Sequence, residues 1–250
     1  MGKNKLQKFA EMATFEHVFQ ADFEQLRDGG YEKKGHWAEF FGNDNSIVLE
    51  LGCGKGEYTV GLAKLYPEKN FIGIDIKGAR MHTGAKQAKE EGLTNVAFIR
   101  TRIEFIEYFF ATDEVSEIWV TFPDPQMRKE NKRLVGTMML NRYRRFLRGD
   151  GCVHLKTDSN FLFLYTKAMM QANGIVPKVI LDDLYGGGLD DKILGIQTYY
   201  ETKWLNYGLT IKYIQFVLLH EKQLIEPDIE IEHDTYHSAG RGAKEKTNNN

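Results

Sequence analysis

Short apolar runs alternate along this chain with longer segments whose apolar positions recur at helical spacing. Residues 47–51, 70–75, 95–100, 116–122 and 151–156 have the length and the β-branched or aromatic content of buried strands. Helices are predicted between them near 56–66, 77–91, 103–110 and 132–147, with a further one near 159–173. The alternation predicts an α/β fold: a doubly wound, mostly parallel sheet with helices on both faces and right-handed crossovers. Residues 209–219 alternate apolar and polar positions and read as a late antiparallel strand, and the sheet is expected to have about seven strands with two late ones joined to it.

The flanks carry weaker patterns. Residues 1–45 space Phe9, Phe15, Phe19, Phe23, Trp37, Phe40 and Phe41 between charges, and are expected to form a helical extension packed on the main domain of residues 46–222. Asp182 to Leu194, with Gly186, Gly187 and Gly188 and four aspartates, reads as a mobile loop. Residues 223–250 are polar and expected to be a disordered tail, most clearly from Ala239 onward.

At 42% hydrophobic and 27% charged over 250 residues, the composition is that of an ordinary globular protein. No apolar run approaches the length that crosses a bilayer, and Met1 to Glu16 lacks the apolar core of a secretory signal. Two distant cysteines, Cys53 and Cys152, are too few for a disulfide framework, so a reducing cytoplasm is the expected location. The seven histidines have no metal-ligand spacing, and no metal is predicted. A net charge of −2 argues against a generic nucleic-acid binder. Yet Arg128, Lys129, Lys132, Arg133, Arg142, Arg144, Arg145 and Arg148 face only Glu130 in their stretch of sequence. That segment is either a phosphate-binding face or a solvated helix surface.

The candidate chemistry begins at the first strand, Ile47 to Leu51, which carries Glu50 and runs into Gly52-Cys53-Gly54-Lys55-Gly56. The second ends in Asp75. A glycine turn after one strand and an acid at the tip of the next is how an open α/β sheet holds a nucleoside. A dinucleotide would want Gly-x-Gly-x-x-Gly to seat its pyrophosphate. Glu50, two residues before the first glycine, repels a pyrophosphate and suits a cationic ligand such as S-adenosylmethionine. Asp75 would then accept hydrogen bonds from ribose hydroxyls. The fourth strand runs into Phe122-Pro123-Asp124-Pro125, where two prolines fix the direction of a carboxylate. Lys156-Thr157-Asp158 closes the fifth strand, and Thr198-Tyr199-Tyr200-Glu201-Thr202-Lys203 follows later.

Taken in order from about Val48 to Gly208, these motifs resemble the bacterial tRNA (guanine-N7)-methyltransferase family. The resemblance implies a class I methyltransferase fold in residues 46–222 and S-adenosylmethionine as cofactor. It further implies tRNA as substrate, with methyl transfer to N7 of guanosine 46 in the variable loop. It makes Asp124 catalytic and assigns cofactor contacts to Glu50, Gly52, Gly54, Gly56, Asp75 and Asp124. Arg102 falls where the family has an adenine-contacting acid, and a backbone amide or Glu104 is the alternative. Arg128 stands where the family has a substrate-contacting lysine; Asp158, Thr198 and Glu201 match substrate-binding positions.

The implied reaction needs no general base, because guanine N7 carries a lone pair and no proton. Asp124 either stabilises positive charge developing on the purine or orients the exocyclic amine or the cofactor. Asp158 or Glu201 suits the N1–H and N2 donors of guanine. Tyr199 and Tyr200 either stack on a base or pack in the core. A methyltransferase for a small molecule or a protein, and a non-catalytic RNA-binding module, are the rival readings. A monomer or a homodimer is expected.

Overall fold

The computed structural model describes residues 3–21, 23–27, 30–186 and 193–235. Eight strands form one sheet: β1 (Val18–Gln20), β2 (Ile47–Leu51), β3 (Asn70–Ile74), β4 (Val96–Arg100), β5 (Val115–Thr121), β6 (Leu147–Thr157), β7 (Pro177–Leu181) and β8 (Lys212–Val217). Their order is β1-β4-β3-β2-β5-β6-β8-β7. All pairs are parallel except β6–β8 and β7–β8. The helices are α1 (Lys3–Met12), α2 (Phe23–Arg27), α3 (Trp37–Phe41), α4 (Glu57–Leu65), α5 (Gly78–Glu90), α6 (Thr137–Tyr143), α7 (Asn160–Ala172) and α8 (Tyr199–Asn206). Ile103–Tyr108 and Glu130–Lys132 are 3₁₀ turns.

The central strands are buried on both faces, as their near-continuous apolar sequences require. Ile47, Leu49 and Leu51 of β2 enter one core with Ile72, Ile118 and Val153. Val48 turns the other way, into a second core with Tyr58, Phe71, Phe98 and Trp119. By the same alternation Glu50 points toward the second core, beneath α4. After β4 the chain crosses β2 to form β5 on its other side. Strand order reverses there, and a crevice opens at the carboxyl ends of β2, β3, β5 and β6.

Three stretches differ from the sequence reading. The sheet has eight strands rather than about seven, because residues 1–45 contribute β1, which pairs with β4 from Val18↔Phe98 to Gln20↔Arg100. Within residues 223–250, expected to be disordered, 223–235 pack on the sheet's flank. Leu224 is buried, Glu226 accepts from Thr137 and from the Tyr165 hydroxyl, and Asp234 accepts from Ser159 and the Phe161 amide. In the expected mobile loop 182–194, Leu184 and Leu194 are core residues. Residues 187–192, with Gly187 and Gly188, and the tail from 236 onward lie outside the described residues.

Candidate active site

The crevice holds a cavity of about 690 Å³, within the usual range for small-molecule sites. Five carboxylates line it: Glu57 from the first turn of α4, and one from the end of each of four neighbouring strands, Glu50 from β2, Asp75 after β3, Asp124 after β5 and Asp158 after β6. The sequence placed these last four far apart; the sheet's order brings them together.

The glycine turn forms the floor. Gly52, Gly54 and Gly56 adopt φ of 78°, 56° and 75°, a region that L side chains rarely enter. The turn folds back on β3, where Gly52 and Cys53 amides donate to the Ile74 carbonyl. Gly52 and Gly54 line the cavity. Gly56, expected with them as a cofactor contact, does not. It caps α4 at the helix crossing, where an added Cβ would lie 2.7 Å from Phe98 Cε1 and 3.2 Å from Gly84 Cα.

Glu50 is 3% exposed. Its carboxylate accepts from the Thr59 amide at 2.9 Å, the Thr59 hydroxyl, and the Thr121 hydroxyl at 2.6 Å. Burial pushes this carboxyl up to about 7; the Thr121 and Thr59 bonds oppose the rise and the nearby Asp75 charge adds to it. Asp75 accepts from the Gly54 amide through Oδ2 at 3.0 Å and from the Lys77 amide through Oδ1 at 2.7 Å. Those bonds fix the acid to the turn and leave each oxygen a second lone pair.

Asp124 is held by an unusual loop. Phe122 and Gln126, on either side of Pro123-Asp124-Pro125, both have positive φ, 47° and 49°. Such residues persist only where their surroundings enforce them. The Gln126 amide donates to Asp124 Oδ1 at 3.1 Å. Arg133 clamps the same stretch from behind: Nε donates to the Gln126 carbonyl at 3.3 Å and Nη2 to the Met127 carbonyl at 3.0 Å. Its guanidinium is buried against the rings of Tyr165 and Phe161, 4.4 and 4.9 Å from their centroids. Gln126 thus holds the Asp124 carboxylate with its N–H while Arg133 holds Gln126 by its C=O.

The remaining expected site residues divide. Asp158 and Thr198 are both buried and line the cavity. Glu201, expected to meet the substrate, does not line the cavity. It is 0% exposed and forms an ion pair with the equally buried Lys156, Nζ to Oε1 2.7 Å. It also accepts from the Tyr185 hydroxyl and closes a capping box with Thr198. Arg102 does not line the main cavity. It lies in an adjoining recess with Arg100, Thr101 and Phe105, and Ile76 is common to both hollows. Arg128 is exposed beyond the proline loop and does not line the cavity.

The basic segment 128–148 is largely spent within the protein. Arg133 serves the loop; Arg142 and Arg145 pair with Glu107, Arg144 donates to the Lys222 carbonyl, and Arg148 faces Asp150. The cations at the cavity are instead Lys55, Lys77, Arg80 and Lys203, with Tyr200 and Trp204 beside them. They come from three separate stretches, the glycine turn, the start of α5 and α8, so no local cluster announced them. Lys203, just after the Thr-x-x-Glu motif, was the one visible signal. Among the described residues no group of three or more His, Cys, Asp or Glu is placed to hold a metal ion, and no helix is long and apolar enough to cross a membrane.

A family profile described as "Putative methyltransferase" matches residues 44–214. The tRNA (guanine-N(7)-)-methyltransferase of Bacteroides fragilis is 58% identical over 245 residues, covering 98% of this chain and 97% of that protein. The enzyme of the same name from Porphyromonas gingivalis is 57% identical, covering 93% of this chain and 98% of that protein. Among solved structures, a 30S ribosomal A1408 methyltransferase from an uncultured bacterium superposes with a TM-score of 0.55 at 14% identity, over 74% of this chain and 93% of that one. An antibiotic-related methyltransferase gives 0.53 at 19%, over 73% and 92%. At those identities the two structures speak for the shared fold.

Proposed function

The chain belongs to the tRNA (guanine-N(7)-)-methyltransferase family, and on that premise we propose that it transfers a methyl group from S-adenosylmethionine to N7 of a guanosine in tRNA. What supports the reading most is the convergence of Glu50, Asp75, Asp124 and Asp158 on one cavity at the strand-order switch. A tRNA substrate also implies a cytoplasmic protein.

The residues present fit such a cofactor. Glu50 is a carboxyl at the cavity floor that burial raises to about 7, and a cation brought beside it would favour its charged form. A pyrophosphate would meet two carboxylates there; an ammonium or sulfonium would complete the site. Asp75 keeps lone pairs for vicinal hydroxyls. Ile76, 49% exposed, offers an apolar surface for adenine, with Arg102 in the recess beyond. When bound, S-adenosylmethionine supplies a methyl group activated on a positively charged sulfur.

The protein's own work is alignment and exclusion of water. N7 already presents its lone pair, so no side chain has to remove a proton. Asp124 carries the stabilisation of positive charge as it develops on the purine. Its braced loop holds the carboxylate ready, with little reorganisation required. Asp158 accepts from N1–H and the N2 amino group, which selects guanine over adenine. Those edges are free only in an unpaired or splayed base. Lys55, Lys77, Arg80 and Lys203 at the mouth would neutralise phosphates, and Arg128 would do so farther out.

The test is to incubate the protein with unmodified tRNA and methyl-labelled S-adenosylmethionine, then map the label. The expected result is 7-methylguanosine at one variable-loop position. Label on another atom, or on a protein or small molecule in preference to tRNA, would refute the proposal.

A further inference from the structure

The first turn of α8 sends two adjacent rings into two different hollows. Tyr200 lines the reaction cavity, with the Arg80 guanidinium 5.5 Å from its centroid. Tyr199 lines a second groove of about 650 Å³ together with Gln197, Thr202, Asn206 and Tyr207. The two rings stand at 80° to each other. Lys203, one turn on, borders both hollows, as does Glu57. The groove therefore continues from the cavity along Lys203.

The chemistry of the groove points to one kind of occupant. Tyr199 and Tyr207 are 55% and 69% exposed, far more than rings held for core packing. Each carries a cation: Lys55 Nζ is 3.7 Å from the Tyr199 centroid, and Lys203 Nζ is 5.9 Å from that of Tyr207. The acid in the groove is already engaged. Glu57 accepts from the Tyr199 amide at 3.0 Å and faces Lys55 at 4.0 Å. Open ring faces, lysines beside them and an amide- and hydroxyl-bearing rim are the surface a single RNA strand stacks on. An apolar peptide would instead seek aliphatic pockets.

We propose that this groove binds an unpaired nucleotide next to the target guanosine. Tyr199 and Tyr207 take base faces, and Lys203 takes the phosphate between the two hollows. The proposal rests on tRNA being the substrate and adds where its flank is held. A target base drawn out of the RNA fold must bring its neighbours with it. A stacking surface beside the cavity recovers part of the stacking lost when they leave the fold.

Binding is measured apart from turnover, by fluorescence anisotropy of unmodified tRNA at fixed salt. Tyr199→Leu and Tyr207→Leu should each raise Kd about fivefold or more, while Tyr199→Phe and Tyr207→Phe stay near wild type. All four should keep the unfolding midpoint and the affinity for S-adenosylmethionine. Leucine variants that bind tRNA like wild type overturn the proposal. So do phenylalanine variants that lose as much as the leucine ones, or leucine variants that unfold or lose the cofactor, since the rings would then act through their hydroxyls or as packing. Wild type that binds tRNA but leaves guanine N7 unmethylated refutes the proposed reaction alone, and the binding series still decides the groove. Wild type that binds no tRNA ends both.

Discussion

Lys156 Nζ and Glu201 Oε1 lie 2.7 Å apart, with neither side chain exposed to solvent. The lysine sits near the end of β6, which leads into Asp158; the glutamate opens α8, which carries Tyr200 and Lys203 to the cavity mouth. The pair thus fixes one wall of the site to the other. Lys156 also donates to the Leu194 carbonyl at 2.7 Å, securing the chain that enters α8.

Removing one partner of a buried pair strands the other charge. Glu201→Gln should therefore destabilise the fold by about 3 kcal/mol or more in urea unfolding. The double variant Lys156→Met, Glu201→Leu should recover much of that loss. A base-contacting glutamate would behave differently, with slower turnover and an unchanged unfolding free energy.

Glu50 makes stability and ligand binding respond to pH in opposite directions. Its folded value of about 7 lies above the ordinary 4.5, so the folded state holds the proton more tightly than the unfolded chain. Its contribution is present in full below pH 4.5 and is lost as pH rises through about 7. The loss is on the order of 3 kcal/mol. Urea unfolding across that window should show the decline in wild type and a flatter profile in Glu50→Gln. Over the same window, calorimetry should find S-adenosylmethionine binding wild type more tightly as the carboxylate ionises. Glu50→Gln should bind weakly throughout; equal affinity in the two proteins would mean the acid plays no part in holding a cation.

How much of this was legible in the sequence depended on how local each cause is. Strands β2 to β6 show themselves because both faces are buried and the apolar runs are continuous. Strand β1 has three residues and exists by pairing with β4, far along the chain. The capping box at Thr198 and Glu201 is a local signal, but Glu201's burial is set by Lys156, 45 residues away. Arg142, Arg144 and Arg145 read as a free basic face because Glu107 and the Lys222 carbonyl, which engage them, come from other elements. Glu50, Asp75, Asp124 and Asp158 were legible because strand ends in this sheet type face the crevice.

The glycine turn separates packing from binding. A methyl at Gly56 would drive into Phe98 at 2.7 Å, on a residue with φ of 75°. Gly56→Ala should cost about 2 kcal/mol or more. At Gly54 the nearest atom to a new Cβ is 3.9 Å away, and that position lines the cavity. Gly54→Ala should cost about 1 kcal/mol of stability for its positive φ. Its cofactor affinity should fall about tenfold or more, because the methyl enters the space where the ligand must approach the backbone. Thermal unfolding and calorimetry on the two variants separate these effects.

Arg133 positions the proline loop without lining the cavity. Lysine would keep the charge but lose the planar fork that spans two carbonyls and stacks on two rings. Arg133→Lys should lower kcat between about tenfold and a hundredfold, as expected when a reacting group is displaced by a fraction of an ångström to one ångström. KM for S-adenosylmethionine should change little, because the glycine turn and Asp75 are held by other bonds. A merely structural arginine would show lower stability with kcat retained at temperatures where the variant is folded.

Asp124 distinguishes charge from shape. Asparagine can keep the bond from the Gln126 amide through its carbonyl oxygen and fits the loop between the two prolines. It carries no charge. If the carboxylate stabilises positive charge on the purine, Asp124→Asn should lose turnover nearly as far as Asp124→Ala, by about a hundredfold or more, with cofactor affinity close to wild type. If the side chain only orients the base or the cofactor by accepting a hydrogen bond, Asp124→Asn should retain most of the wild-type rate and only the alanine variant should fail. Single-turnover methylation of tRNA by the three proteins, at saturating cofactor, separates the two roles. Wild-type rates in both variants would remove the proline loop from the chemistry.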